Sequence, residues 1–253
     1  MKVDHRKRTA DLNPDTFVAG RLSAVDPSGT GSGPKPATSN WMRQVLRGGL
    51  AMALPPRFYL VHGPRRVGSV CLTFDDGPDP VLTPRLLDVL RDLSVRATFF
   101  VIGEKVECHP EIVRRMALEG HCVGGHSFHH ASPGLISAHQ LIDEVRRTNV
   151  LLAELLGRQT RLFRPPYGKL TVSKLWRLWR ARQTVVLWDV DPKDYACTTA
   201  EEARAFFQGR PLQGGDLVLM HDDVAHALEV VPYLVGQAHA SGLAFATISD
   251  WLS

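Results

Sequence analysis

Residues 69–78 read Ser69-Val70-Cys71-Leu72-Thr73-Phe74-Asp75-Asp76-Gly77-Pro78. An apolar run stops abruptly at two adjacent carboxylates and a Gly-Pro turn signal. The run predicts a buried strand over 69–75, closed by Gly77-Pro78. Adjacent carboxylates repel one another unless a cation or an arginine neutralises them. Capping the next helix would account for one of the two, not both. The stretch therefore reads as a strand that presents chemistry at its carboxyl end.

Working outward, the same pattern repeats. Strands are predicted at 69–75, 96–102, 121–125, 161–164, 184–189, 215–220 and 243–248. Helical periodicity fills the gaps at 82–93, 110–119, 137–156, 171–182, 200–208 and 224–241, with Ser137 and Gln140 spaced as a capping box. Strands alternating with helices of this length predict βαβ units and a parallel sheet. Seven strands in one such body favour an α/β fold closed, or nearly closed, into a barrel; a doubly wound open sheet is the other architecture the pattern admits. No G-x-G-x-x-G follows the first strand and no G-x-x-x-x-G-K-[ST] is present, so no nucleotide-binding motif is found.

In parallel α/β folds reactive groups gather at the carboxyl ends of strands. Here polar clusters fall at those points: Asp75-Asp76, His126 to His130, Arg164-Pro165-Pro166-Tyr167-Gly168, Asp189 to Tyr195, and Leu219-Met220-His221-Asp222. His126 and His130 are four apart, a spacing that on a helical turn aims two imidazoles at one point. A carboxylate from another strand would complete an open two-His-plus-carboxylate metal site. His221 closes an apolar strand on the same rim. The rigid Pro165-Pro166 holds the backbone extended and fixes where Arg164 and the Tyr167 N–H point.

TFDDGP, H-S-x-x-H, RPPYG, DPKDY and LMHD stand in the order of the five motifs of the polysaccharide deacetylase family. That family is also called the NodB-homology domain or carbohydrate esterase family 4. The resemblance covers about residues 66–253 and implies a distorted (β/α)7 barrel. It implies a divalent metal, zinc being the expected ion, on Asp76, His126 and His130. It implies Asp75 as general base, His221 as general acid, Arg164 holding Asp75, and Asp194 orienting His221. The Tyr167 N–H would face the oxyanion. Leu219 and the aromatic Tyr195 would line the acetyl-methyl pocket, with Trp188 a further substrate-binding residue. The sequence departs from the family pattern in having Gly125 where Asn is usual, and Tyr195 where Trp is usual. His129 adds a third imidazole, read as solvated or as a neighbour of the ligands. The implied reaction is hydrolysis of N-acetyl groups on an amino-sugar glycan. Deacylation of another amide or ester, on a small or lipid-linked sugar, is a second function class, and glycan binding without turnover a third.

The remaining 253-residue composition sets bounds. It is 44% hydrophobic and 22% charged, with 30 Lys+Arg against 26 Asp+Glu and a formal charge of +4, which suits a globular chain. Residues 1–65 hold ten Lys/Arg and four Asp/Glu, whereas 66–253 hold twenty and twenty-two. The basic excess thus belongs to a Gly/Pro/Ser-rich extension over 1–65, of which 1–40 read as largely disordered. Residues 41–54 follow helical spacing and would form a short amphipathic helix, lying either on a membrane surface or against the outside of the barrel. No apolar run sits near the start, so no export signal is visible; a cytoplasmic or membrane-peripheral location is expected, with export the remaining alternative. Cys71, Cys108, Cys122 and Cys197 form no C-x-x-C pair and read as free thiols. Nothing in the pattern points to nucleic acid or to an obligate protein partner.

Overall fold

The computed structural model of the protein describes residues 49, 54–66 and 68–253. The expectations for 1–40 and, apart from Gly49 and Leu54, for a helix over 41–54 lie outside the described residues. Among the described residues eight strands appear: β1 Tyr59–Leu60, β2 Ser69–Asp75, β3 Thr98–Val101, β4 Cys122–Gly125, β5 Leu162–Phe163, β6 Thr184–Val186, β7 Leu217–His221 and β8 Ala244–Phe245. They run in the order β1-β6-β5-β4-β3-β2-β7, with β8 added to the start of β2. Every pairing is parallel. Seven of these strands match the sequence expectation. β1 does not: it lies inside the stretch assigned to the extension, yet pairs Tyr59 with Val185 and Leu60 with Val186. Two residues are too few to show a period, which is why the sequence hides them.

The sheet curls into a distorted barrel whose two edge strands, β1 and β7, meet without a regular ladder. Leu187 N–H donates to Leu60 O, the chain then crosses over, and Val190 bridges Val218. Gly63 N–H donates to Gly215 O at 2.8 Å. Gly215 has φ +84, and a Cβ there would stand 2.9 Å from Gly63 O, so only glycine fits this approach. Ion pairs lie along the same seam: Arg65 with Asp189 and Asp216, and Arg210 with Asp216.

Among the described residues the helices are α1 Leu82–Asp92, α2 Gly103–Cys108, α3 Pro110–Leu118, α4 Ala138–Leu156, α5 Val172–Arg180, α6 Ala200–Gly209, α7 Ala227–Ala240 and α8 Ile248–Leu252, with Gly49 also helical. α4 starts on the expected capping box and ends at Gly157 in the left-handed region. It buries Leu141, Val145, Thr148 and Leu152, one stripe at helical spacing. α2 and α8 were not anticipated. The expected strand 243–248 keeps only two residues before Thr247 caps α8. The largest core cluster joins β2 and β3 to α1, α3 and α7 through residues such as Leu72, Leu87, Leu90, Val113 and Leu234. Truncating one of them, Leu90→Ala for example, should cost about 2–5 kcal/mol. All four cysteines are free, and burial pushes the Cys71 thiol up to about 12. Among the described residues, no helix is long and apolar enough to cross a membrane.

Register places the reactive ends side by side. Asp75 pairs with His221 across β2 and β7. Gly125 pairs with both Val101 and Phe163, so His126 and Arg164 leave neighbouring strands one step beyond the sheet.

Candidate active site

Arg164 is fully buried, as is its partner Asp75. Its Nη1 donates to Asp75 Oδ1 and to Thr73 Oγ1, each at 2.7 Å, and its Nη2 donates to Leu187 O at 2.9 Å. Thr73 Oγ1 in turn donates to Val218 O. Burial pushes the Asp75 carboxyl above its usual range, and the Arg164 guanidinium opposes that shift. Breaking such a buried pair by removing one member costs about 3–5 kcal/mol.

Asp76, His126 and His130 converge, their ligand atoms all lying within 4.8 Å of one another. Asp76 Oδ1 is 3.4 Å from His126 Nε2 and 3.2 Å from His130 Nε2. His126 Nδ1 sits 2.7 Å from Arg164 O; a carbonyl only accepts, so Nδ1 carries the proton and Nε2 offers its lone pair. Burial pushes the His126 pKa down to about 3, with Asp76 opposing. Asp76 and His130 hold left-handed φ of 73 and 54, conformations that cost about 1–3 kcal/mol each and collect at functional sites. Asp76 Oδ1 is buried with no hydrogen-bond partner. Ligands about 2.1 Å from one tetrahedral ion stand about 3.4 Å apart, so the separations and the orphaned oxygen fit a divalent ion.

On the other side, His221 Nε2 is 4.0 Å from Asp76 Oδ2. Asp194 enters from a 3-10 turn after β6 and is completely buried. Burial alone would lower the His221 pKa, but the hydrogen bond and charge of Asp194, with Asp75 and Asp76, raise it to about 9. Tyr195 packs edge-on to the His221 ring at 5.2 Å. Leu219 is buried two residues before His221 on β7. Tyr167 has φ 59, and its ring lies 4.9 Å from that of His130. The turn bonds there run from Gly168 N to Pro165 O and from Lys169 N to Pro166 O, leaving the Tyr167 N–H outside them. The Arg164 guanidinium lies 5.6 Å from the Trp188 ring.

Ten of the eleven sequence-named residues thus gather at one end of the strands, and the eleventh, Trp188, packs against the core beside the Arg164 guanidinium. His129 instead turns aside, its Nδ1 2.7 Å from Glu144 Oε1. Glu144 also accepts the Phe128 and His129 N–H groups, bracing the ligand loop from α4. Sequence reading missed Glu144, Thr73 and Asp222. Asp222 is buried beneath the Asp76-Gly77 turn, its Oδ2 accepting from Thr83 Oγ1 at 2.6 Å, and burial pushes its carboxyl up to about 7. Its place inside the LMHD run was the only signal available.

The family model described as polysaccharide deacetylase matches residues 62–186. A peptidoglycan-N-acetylglucosamine deacetylase of Bacillus cereus is 32% identical over 196 residues, covering 75% of this chain and 70% of that protein. The chain belongs to the polysaccharide deacetylase family. Further relatives of this deacetylase include a chitooligosaccharide deacetylase of Bradyrhizobium, 38% identical over 155 residues, with 61% and 70% of the two chains covered. A crystal structure of a peptidoglycan N-acetylglucosamine deacetylase superposes with a TM-score of 0.73 at 30% identity, covering 76% of this chain and 92% of the other. Like other members of the family, this deacetylase is a hydrolase acting on carbon–nitrogen bonds.

Proposed function

We propose that this deacetylase removes the acetyl group from an N-acetylglucosamine unit of a glycan, releasing acetate, with a divalent ion, zinc by expectation, on Asp76, His126 and His130. The observation that carries the reading is the placing of two opposed proton-handling groups around one donor cluster. Asp75 Oδ2 lies 3.7 Å from His126 Nε2, and His221 Nε2 lies 4.0 Å from Asp76 Oδ2. The relatives are named for peptidoglycan and for chitooligosaccharide, and both names imply an N-acetylated amino sugar.

When bound, the ion supplies Lewis acidity to a water and to the acetyl carbonyl. Asp75 takes the proton of the attacking water, fixed for that by Arg164. The Tyr167 N–H faces the oxygen that gains charge, where a fixed donor is worth most. His221, kept cationic by Asp194, hands its proton to the departing amine, which leaves poorly unless protonated. Leu219 and Tyr195 give the acetyl methyl an apolar wall. The test is acetate release from N-acetylglucosamine oligomers and from peptidoglycan fragments. Release abolished by a chelator and restored by zinc supports the reading. Oligomers bound but left intact, with zinc present, would overturn it in favour of glycan binding alone.

A further inference from the structure

Residues 155–188 contain eight Lys/Arg and no Asp or Glu. Two of the eight are buried: Arg164 on Asp75, and Lys174 on the carbonyls of Pro133 and Ile136. The other six, and Arg57, are exposed. Among the described residues none of these seven stands in an ion pair, although most other arginines do. A surface normally intersperses the two signs; a one-sign field attracts its opposite.

Topology gathers five of them at one end. Arg158 and Arg161 lead into β5, Arg180 and Arg182 into β6, and Arg57 into β1. These strands are neighbours in the order β1-β6-β5. Thr184, the first residue of β6, donates its Oγ1 to Arg57 O at 2.7 Å and its N–H to Arg161 O at 2.8 Å. Arg57 and Arg161 therefore flank it on both sides. A cavity of about 100 Å³ opens beside Arg158 and Arg161, lined also by Cys122, Thr160 and Ser249. One turn up α5, Trp176 is 51% exposed, with the Arg180 guanidinium 4.7 Å from its ring centre. The five arginines and the cavity lie at the amino ends of the strands, opposite the active site, with Trp176 half-way along α5 beside them.

We propose that this amino-end rim docks on an anionic lipid bilayer. The guanidinium fork matches phosphate oxygens, and the cavity between two arginines has room for a headgroup phosphate. A half-exposed indole beside a cation suits the bilayer interface, where amphipathic rings settle; a soluble polyanion would meet the charge but give the indole no apolar phase. Docked this way, the barrel turns its active site away from the bilayer, whatever substrate it takes.

The test is co-sedimentation of the full chain with vesicles of phosphatidylcholine, with and without phosphatidylglycerol, at about 0.1 M salt. Binding is expected to the anionic vesicles alone. The triple variant Arg158→Gln, Arg161→Gln, Arg182→Gln should bind them about 100-fold more weakly, and Trp176→Ala should weaken binding further. The matching triple lysine variant should keep most of the binding, and all should melt close to the parent temperature. Residues 1–53, with eight Lys/Arg and four Asp/Glu, are present in every variant. Parent-like vesicle binding by the glutamine variant would overturn the proposal. So would a glutamine variant that loses binding only to a soluble polyanion such as heparin, which would assign the rim to a polymer.

Discussion

His221 and Asp194 meet twice: Nδ1 of the ring lies 2.8 Å from Asp194 Oδ1, and the His221 backbone N–H donates to Asp194 Oδ2 at 2.8 Å. The carboxylate thereby fixes both the charge and the tilt of the ring. In Asp194→Asn the charge goes and burial, which lowers the pKa, is left to dominate. The alkaline limb of the rate profile should move to lower pH and turnover should fall about 100-fold or more. Metal content should hold, because Asp194 is not among the converging donors. Rate against pH at saturating metal checks this; an unmoved alkaline limb means that His221 is tuned by another group.

Asp75→Asn separates base from ligand. The amide oxygen can still accept from Arg164, so the buried guanidinium keeps a partner. Zinc content should stay near one per chain while acetate release drops by about 10²–10⁴-fold. Metal analysis and acetate release on the same preparation decide it, and turnover near the parent rate removes Asp75 from the role of base.

Gly77 has no room for a side chain, since a Cβ there would stand 1.9 Å from Asp222 Oδ2. Gly77→Ala should cost about 1–3 kcal/mol and displace Asp76, lowering metal affinity. Adding Asp222→Ser to it should restore part of both losses. A double-mutant cycle in urea, with zinc affinity measured alongside, tests the pairing; strictly additive effects would contradict it.

His121 is buried, its Nδ1 accepting the Ala97 N–H at 3.1 Å, and burial pushes its pKa down to about 4. Above about pH 6.5 the ring is neutral in both folded and unfolded chains. Below that the unfolded chain takes a proton that the folded chain refuses until about pH 4. Its contribution is therefore complete above pH 6.5 and is lost as pH falls towards 4, by about 3 kcal/mol. His121→Asn retains an acceptor for Ala97 and should flatten the stability curve in that window. Urea midpoints at pH 4.5 and 7 for both proteins show whether the difference exists.

The parts visible in the sequence were those written in contiguous residues. Thr73-Phe74-Asp75-Asp76-Gly77-Pro78 carries its strand, its turn and two of its site groups in one run, and the capping box of α4 needs only Ser137 and Gln140. What stayed hidden depends on partners far along the chain. Thr73 meets Arg164 across 91 positions and Thr83 meets Asp222 across 139. Glu144 looks like any polar residue on a helix until the ligand loop folds back over it. β1 becomes a strand only because β6 is there to receive Tyr59 and Leu60, a tertiary effect that no local pattern encodes.

The seam between the edge strands has a mechanical meaning. Asp194 belongs to the chain leaving β6, and His221 belongs to β7, so the pair is assembled across the one line where the barrel lacks a continuous ladder. Asp75 ends β2, and Asp76, His126, His130 and Arg164 follow the ends of β2, β4 and β5, strands joined through β3 by unbroken pairing. The two halves of the chemistry are thus mounted on parts of unequal stiffness. High salt should weaken the half-exposed Arg65–Asp189 and Arg65–Asp216 stitches, and the expected consequence is a looser proton donor and carboxylate while the donor cluster is still whole. The failure expected of such a build is that of a hinge, with the grip on the leaving group lost before the shape.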